Sequence, residues 1–295
     1  MSFFIQNLVN GISLGSLYAL LAIGYTMVYG ILRLINFAHG DIFMLGAYLS
    51  FYVMTLTSLP WWAAFLIATI FTGLLGIVLE RTAYAPLRQE ARINVLISAI
   101  GASFLLENLA ILVFGGRPQP FPVPEVLDRS IKVGQVSFNI IQVVIPVVTA
   151  ILLLVLHFVV NKTKTGMAMR ALATDYEASD LMGININLII SVTFLIGSLL
   201  AAVGGILYAC RYPQLLPLMG MMPGIKCFIA AVIGGIGNMT GAVVGGMILG
   251  MAEIMIVGFL PSLNDYRDGF AFIILILILI IKPTGLFGST AKEKV

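Results

Sequence analysis

Few side chains of this sequence are suited to acid–base or binding chemistry, and those few interrupt long apolar runs. Glu107, His157 and Glu253 each stand within such a run, and His39 and Asp41 stand at the end of one. A charge at the centre of a lipid bilayer costs about 3 kcal/mol on insertion scales, so each group must face protein, water or an interface. Glu107 is therefore expected either to line a pathway or to form hydrogen bonds between helices, whereas His157 and Glu253 are predicted at an edge or an interface.

One short motif has the spacing of a serine hydrolase. Residues Gly11 to Gly15 read G-I-S-L-G, which matches G-x-S-x-G. In hydrolases that serine sits on a turn between a strand and a helix, beside a histidine and a carboxylate. Here the motif lies inside a helical apolar run, where the same glycines spell G-x-x-x-G, a helix-packing pattern. We therefore predict packing and no catalytic residue.

No motif predicts a nucleotide, metal or cofactor site. Lys162 and Lys164 are followed by threonine, but the glycines of the phosphate-binding pattern G-x-x-x-x-G-K-[ST] are missing. Cys210 and Cys227 have no metal-binding spacing and indicate no disulfide framework. If ATP drives this protein, another chain must bind it.

Two interruptions of the apolar runs predict a pathway through the membrane. Residues 36–41 read N-F-A-H-G-D, and residues 234–241 read G-G-I-G-N-M-T-G. Non-helical backbone at membrane depth is tolerated only where it is buried in protein or lines a wet cavity, and broken apolar segments in both halves of a chain are typical of transporters. The predicted path residues are Asn36, His39, Asp41, Glu107, Gly234 and Gly235.

The elements that must hold these residues are membrane helices. Of the 295 residues, 60% are hydrophobic and 10% are charged, against about 25% charged in soluble domains. A crossing helix needs about 20 apolar residues, so the sequence predicts an all-α, polytopic transmembrane helix bundle that forms a single domain over residues 1–295. Its 16 basic residues are spread too thinly to make a basic face, which argues against a nucleic-acid partner.

Eight or nine membrane segments are predicted, some broken by glycine, depending on whether the short run 222–236 crosses. The segments are Leu8 to Ile31, Ile42 to Leu59, Trp61 to Leu79, Ile93 to Phe114, Ile140 to Val160, Leu188 to Ala209, Met222 to Ile236, Ala242 to Leu260 and Gly269 to Ile281. Since lysine and arginine concentrate on the cytoplasmic side, their distribution puts the N-terminus outside and the C-terminus inside. Ten of the 16 basic residues then lie inside: Arg33, Arg81, Arg88, Arg92, Lys162, Lys164, Arg170, Lys282, Lys292 and Lys294. The other six lie in predicted outer segments: Arg117, Arg129, Lys132, Arg211, Lys226 and Arg267.

Two polar segments are long enough to form loops with a role of their own. Residues 115–139 contain four prolines, which favour extended backbone, so this segment is predicted to be an extracytoplasmic loop. Residues 161–187 are predicted to be a cytoplasmic loop that contains one short amphipathic helix, Ala168 to Met182, ended by Gly183. A helix of this kind lies flat on a membrane surface or fits a partner's groove. Its expected anchors are Leu172, Tyr176 and Met182, and its expected exposed charges are Arg170, Asp175 and Glu177.

Four stretches of the sequence resemble one family of membrane proteins. They are Leu14 to Tyr48, Met169 to Ile184, Ala230 to Gly246 and Lys282 to Gly288. Together they are similar to the bacterial high-affinity branched-chain amino acid permease, the H-type membrane component of an ABC transporter. The second stretch looks like the coupling loop of ABC importers, commonly E-A-A-x-x-x-G, in which Glu177, Ala178 and Gly183 match and Ser179 replaces the second alanine.

The resemblance implies a transport subunit rather than an enzyme. It implies an importer in the bacterial cytoplasmic (inner) membrane with a second related permease subunit, two ATPase subunits and an extracytoplasmic solute-binding protein, and with leucine, isoleucine and valine as substrates. It implies ATPase coupling through Arg170, Asp175, Glu177, Ala178 and Gly183. Permeases for urea, short amides or other amino acids, and an ATP-independent channel, stay open as alternatives.

Overall fold

The computed structural model describes residues 2–88, 90–133 and 136–288. Within these residues the α-helices are α1 (Ser2–Leu32), α2 (His39–Leu56), α3 (Trp61–Leu79), α4 (Arg92–Phe114), α5 (Glu125–Asp128), α6 (Ile140–Lys162), α7 (Lys164–Thr174), α8 (Tyr176–Leu181), α9 (Ile186–Arg211), α10 (Met221–Gly234), α11 (Met239–Phe259) and α12 (Arg267–Ile281). Short 3₁₀ turns cover Ala85–Leu87 and Pro261–Tyr266. Two antiparallel strand pairs join loops: β1 (Gln119–Pro120) with β4 (Gln214–Leu215), and β2 (Ser130–Val133) with β3 (Val136–Asn139).

Nine of these helices coincide with the nine predicted membrane segments. Six of them, α1, α3, α4, α6, α9 and α11, are long and apolar enough to cross a membrane, so the predicted all-α polytopic bundle is confirmed. α10 has 14 residues, which span about 21 Å against a hydrocarbon core of about 30 Å. The run 222–236 therefore forms a helix that is shorter than a full crossing. Lys292 and Lys294, two of the predicted inner basic residues, lie outside the described residues.

α1 forms the axis of the bundle. Its residues 13–28 are all buried, and a Cβ atom on Gly250 of α11 would lie 2.3 Å from the backbone of Gly15. The glycines of α1 and α11 thus allow the two backbones to touch, as the G-x-x-x-G pattern predicts. The Ser13 hydroxyl is buried with no hydrogen-bond partner in the described part of the chain.

The chain re-enters the bundle after α1. Arg33 turns the chain with a left-handed backbone (φ 53°), and residues 34–38 lead to His39, whose Nε2 lies 3.2 Å from the carbonyl oxygen of Leu21. Leu21 precedes the end of α1 by about 16 Å of helix. α2 therefore begins at mid-depth, inside the bundle.

α10 begins at the same point. A Cβ atom on Gly40 of α2 would lie 2.3 Å from the carbonyl oxygen of Gly220, directly before α10, so the absence of side chains lets the two N-termini meet. α10 then runs to the side where α1 ends, because a Cβ atom on Gly30 of α1 would lie 3.6 Å from Gly237, just beyond α10. α2 runs the opposite way, antiparallel to α1, so α2 and α10 diverge from one starting point.

Candidate functional site

A cavity of about 450 Å³, named here the central cavity, lies where the N-termini of α2 and α10 meet. Its volume falls within the range of about 300–1,000 Å³ that is typical of small-molecule sites. Its apolar lining includes Ile100, Phe104, Ile225, Phe228, Phe272 and Leu275. Its polar lining includes Asn36, Asp41, Ser103 and Glu107.

Two carboxylates reach the central cavity. Asp41, in the first turn of α2, is buried, and its Oδ2 accepts a hydrogen bond of 2.5 Å from Ser103 Oγ of α4. Glu107 stands four residues beyond Ser103, on the same face of α4. The N–H groups at a helix N-terminus carry partial positive charge. The cavity thus offers carboxylates for a cation, helix N-termini for an anion and an apolar wall.

Three of the six predicted path residues meet at this cavity and three do not. Asn36, Asp41 and Glu107 line it. His39 is instead buried between α1 and α2, where it contacts the Leu21 carbonyl and the Tyr25 ring, with ring centroids 5.9 Å apart.

Gly234 and Gly235 lie at the far end of α10, away from the central cavity. A Cβ atom on Gly234 would lie 2.1 Å from Gly241, and one on Gly235 would lie 2.5 Å from Gly288. Gly235 also has a φ of 103°, which non-glycine residues rarely adopt. Close packing and this turn account for Gly234 and Gly235, and neither of them lines the central cavity.

The predicted amphipathic helix of residues 168–182 is wrong as one continuous helix. Asp175 has extended backbone (φ −149°, ψ 115°) and separates α7 from α8. Its Oδ1 accepts a hydrogen bond of 2.9 Å from the Ala178 N–H, which makes it the N-cap of α8. Leu172, an expected anchor for a partner, is 3% exposed and packs inside the protein.

The other predicted coupling residues form one exposed surface, named here the coupling surface. Asp175, Glu177, Ala178 and Gly183 are all exposed, and beside them Tyr176, Leu181 and Met182 are 47%, 88% and 82% exposed. Arg170 is also exposed, but its guanidinium donates to the carbonyl oxygen of Val160 at the end of α6. This contact ties α7 to the bundle.

Gly183 ends α8 as the sequence predicts. It has a φ of 76°. The Gly183 N–H donates to the Asp180 carbonyl, and the Ile184 N–H donates to the Ser179 carbonyl. These two bonds form a Schellman motif, which satisfies the last carbonyl groups of the helix.

Glu253 is buried and belongs to an ion network that reaches the surface at Arg267 and Asp268, whose side chains are 42% exposed. Its Oε2 lies 2.9 Å from Lys226 Nζ of α10, and its Oε1 lies 3.0 Å from Arg267 Nε of α12. Lys226 Nζ also lies 2.6 Å from Asp268 Oδ1, and Tyr18 of α1 donates to Glu253. Lys226, predicted in an outer segment, is 3% exposed in α10, because opposite charges offset the cost of burying it. In the described ranges no group of three His, Cys, Asp or Glu side chains is placed to hold a metal ion.

Comparison with known proteins decides the family. The family model described as the permease component of branched-chain amino acid transport systems matches residues 7–279. This chain belongs to that family. Its curated relatives include the high-affinity branched-chain amino acid permease LivH of Salmonella typhimurium, 41% identical over 99% of this chain and 98% of the relative. BraD of Pseudomonas aeruginosa, with the same description, is 42% identical over the same shares. The ribose import permease RbsC of Haemophilus influenzae is 22% identical over 90% of this chain and 79% of the relative.

Sequence reasoning did not single out several buried polar residues of this member of the branched-chain permease family. Ser103 holds Asp41 in place, and its spacing of four residues from Glu107 on one apolar helix was a usable signal. Lys226 stands among apolar residues of a helix and could have been singled out as an intramembrane charge. Glu80, Tyr84 and Arg88, at the end of α3, gave no such signal because they directly follow an apolar run.

Proposed function

We propose that this chain is the membrane-spanning permease subunit of an ABC importer for leucine, isoleucine and valine in the bacterial inner membrane. The observation that carries the proposal is identity of 41–42% over nearly the whole chain to permeases named for these substrates. Identity to the ribose permease is 22%. The apolar lining of the central cavity suits aliphatic side chains. A cavity lined by hydrogen-bonding groups would reject them, because its buried polar groups would be left unpaired.

The central cavity is the proposed point of passage. A branched-chain amino acid is a zwitterion, so its ammonium group would face Asp41 and Glu107. Its carboxylate would face the N-termini of α2 and α10. Its side chain would lie against Phe104 and Phe228. Substrate selection belongs mainly to the solute-binding protein, because tight binding in the permease would slow release.

The coupling surface is the proposed contact with an ATPase subunit. Tyr176, Leu181 and Met182 offer apolar side chains, and Asp175 and Glu177 offer charges. An amphipathic helix with such a face fits a partner's groove. In this assembly residues 161–187 are cytoplasmic, residues 115–139 are extracytoplasmic, the N-terminus is outside and the C-terminus is inside. The partners are two ATPase subunits, a second related permease and a solute-binding protein.

Uptake by the complete complex in proteoliposomes tests this function. We expect ATP-dependent uptake of radiolabelled leucine that isoleucine and valine compete for and that urea and ribose leave unchanged. Asp41→Asn and Glu107→Gln should each lower leucine uptake about 10- to 100-fold, the range expected for loss of a charged hydrogen-bonding partner. Glu125→Gln, an exposed carboxylate in α5, is the matched control and should leave uptake unchanged.

Three results would contradict the proposal. Competition by urea or an amide, but not by valine, would reassign the substrate. Passage of leucine without ATP would indicate a channel. Equal uptake by the Asp41, Glu107 and Glu125 variants would remove the central cavity from the path.

A further inference from the structure

One turn of π-helix ends α3. It covers Glu80–Tyr84, and the N–H of Ala85 donates to the carbonyl oxygen of Glu80, five residues earlier. Pro86 follows in the 3₁₀ turn and has no N–H to continue an α-helix. Single π turns are rare and frequently stand at functional sites.

One end of the π turn is bound to the start of α9. Glu80 is fully buried and pairs with Arg88. Arg88 Nη1 donates to Asn187 Oδ1 at 2.6 Å, and Ser191 Oγ donates to Glu80 Oε2 at 2.7 Å. Asn187 is the last residue of the 161–187 segment, so this cluster ties the segment to the π turn.

The coupling surface also lies close to this cluster through Tyr176 of α8. Tyr176 and Asn187 line one surface pocket together with Gly183. Asn187 accepts the hydrogen bond from Arg88, and Arg88 pairs with the buried Glu80. Arg88 therefore connects the segment that carries the coupling surface to the Glu80 carboxylate.

The other end of the π turn is bound to the central cavity. The Tyr84 hydroxyl donates to Asn36 Oδ1 at 2.8 Å, and both residues are buried. The Tyr84 ring packs on Phe194 of α9, with ring centroids 5.2 Å apart. Asn36 lines the central cavity and stands in the re-entrant segment that leads to α2.

We propose that the Glu80–Tyr84 π turn links movement of the coupling surface to Asn36 in the polar lining of the central cavity. Tyr84 is the positioning residue for Asn36. This inference rests on the proposed ATPase coupling. Buried, hydrogen-bonded clusters move between discrete arrangements rather than deform continuously. Conversion of the π turn to α-helix shifts the register by one residue, which rotates Tyr84 by about 100° about the helix axis. The Tyr84–Asn36 bond would then break, and the start of α2 would be free to move.

A cysteine in the central cavity measures this link directly. Phe37 lines the cavity and is 44% exposed, so we place Phe37→Cys in a Cys210→Ala, Cys227→Ala background of the complete complex. The readout is the rate of maleimide labelling with and without ATP and vanadate. We expect nucleotide to change the labelling rate, and Tyr84→Phe to reduce that change about five-fold, the factor expected for loss of one hydrogen bond. Glu80→Gln should act in the same direction.

The matched control is Tyr48→Phe. Tyr48 is equally buried, but its hydroxyl has no hydrogen-bond partner in the described residues, so the two variants differ in the bond that is lost. ATP hydrolysis and leucine uptake are measured on the same preparations. We expect Tyr84→Phe to lower leucine moved per ATP about five-fold while ATP hydrolysis stays near that of Tyr48→Phe.

The inference is overturned if Tyr84→Phe and Tyr48→Phe show the same nucleotide-dependent labelling. It is also overturned if hydrolysis and uptake fall together in proportion to lost folded complex, because that is the behaviour of a purely structural bond. Labelling does not depend on the substrate. A complex that moves a different substrate therefore refutes the branched-chain assignment and still tests the link.

Discussion

Gly183 provides the sharpest test of the coupling surface. Its φ of 76° costs about 1–2 kcal/mol for a residue with a Cβ atom, and a Cβ atom there would meet nothing within 4 Å. Gly183→Ala therefore introduces backbone strain without a clash. That energy corresponds to a factor of about 5–30 in the population of the capped end of α8.

ATPase binding should weaken by up to the same factor, because apparent affinity scales with the population of the competent conformation. The assay is titration of ATPase subunits onto the purified permease complex. Gly183→Asn should bind more tightly than Gly183→Ala, since asparagine tolerates left-handed backbone. Gly183→Asp adds a negative charge to the coupling surface and should abolish coupling.

The control is Gly115→Ala at the end of α4, where the backbone (φ 82°, ψ 156°) is at least as strained for a residue with a Cβ atom. Gly115 also has positive φ, 82°, and open space around its Cβ position, but it lies in the proposed extracytoplasmic loop. Equal ATPase binding by Gly183→Ala and the unchanged chain would refute the reasoning. Equal loss in the Gly115 and Gly183 variants would show a general effect of strain rather than a local one.

Substitutions at two further places test the bundle itself. Lys226→Met alone or Glu253→Leu alone should lower the melting temperature of the purified protein more than both changes together. Each single change leaves a buried charge with fewer partners. A double variant whose melting temperature falls by the sum of the two single losses would contradict this. Gly250→Leu should prevent α1 and α11 from packing, since its Cβ would lie 2.3 Å from the Gly15 backbone, and should abolish the monodisperse peak in size-exclusion chromatography, whereas Gly101→Leu, facing open space, should keep it.

Hydropathy predicted the helices of this fold well and their depth poorly. Apolar runs such as Ile93 to Phe114 match α4 (Arg92–Phe114) within one residue. The match is close because a helix that crosses lipid needs an apolar run of about its own length. Where α2 and α10 begin was not predictable. The contact between Gly40 and Gly220 joins residues far apart in the chain, and a hydropathy window reports no such pairing.

The candidate site was predicted where a polar group interrupts an apolar run or stands at its end. Glu107 stands within a run and Asp41 at the end of one, and both line the central cavity. Glu80 and Arg88 were not singled out, because charges directly after an apolar run are typical of an ordinary loop. The helix over residues 168–182 was interrupted by Asp175, whose side chain competes for backbone N–H groups. Helical periodicity alone does not report such a cap.

The enclosed position of α1 has a consequence for biosynthesis. α1 ends at Leu32 and its main neighbour α11 begins at Met239, more than 200 residues later. At about 5–20 residues per second, ribosomes need roughly 10–40 s to make the missing stretch. During that interval the serines and glycines of α1 lack the helix that will cover them, so we expect nascent chains that stall before α11 to be preferred substrates of membrane proteases and chaperones.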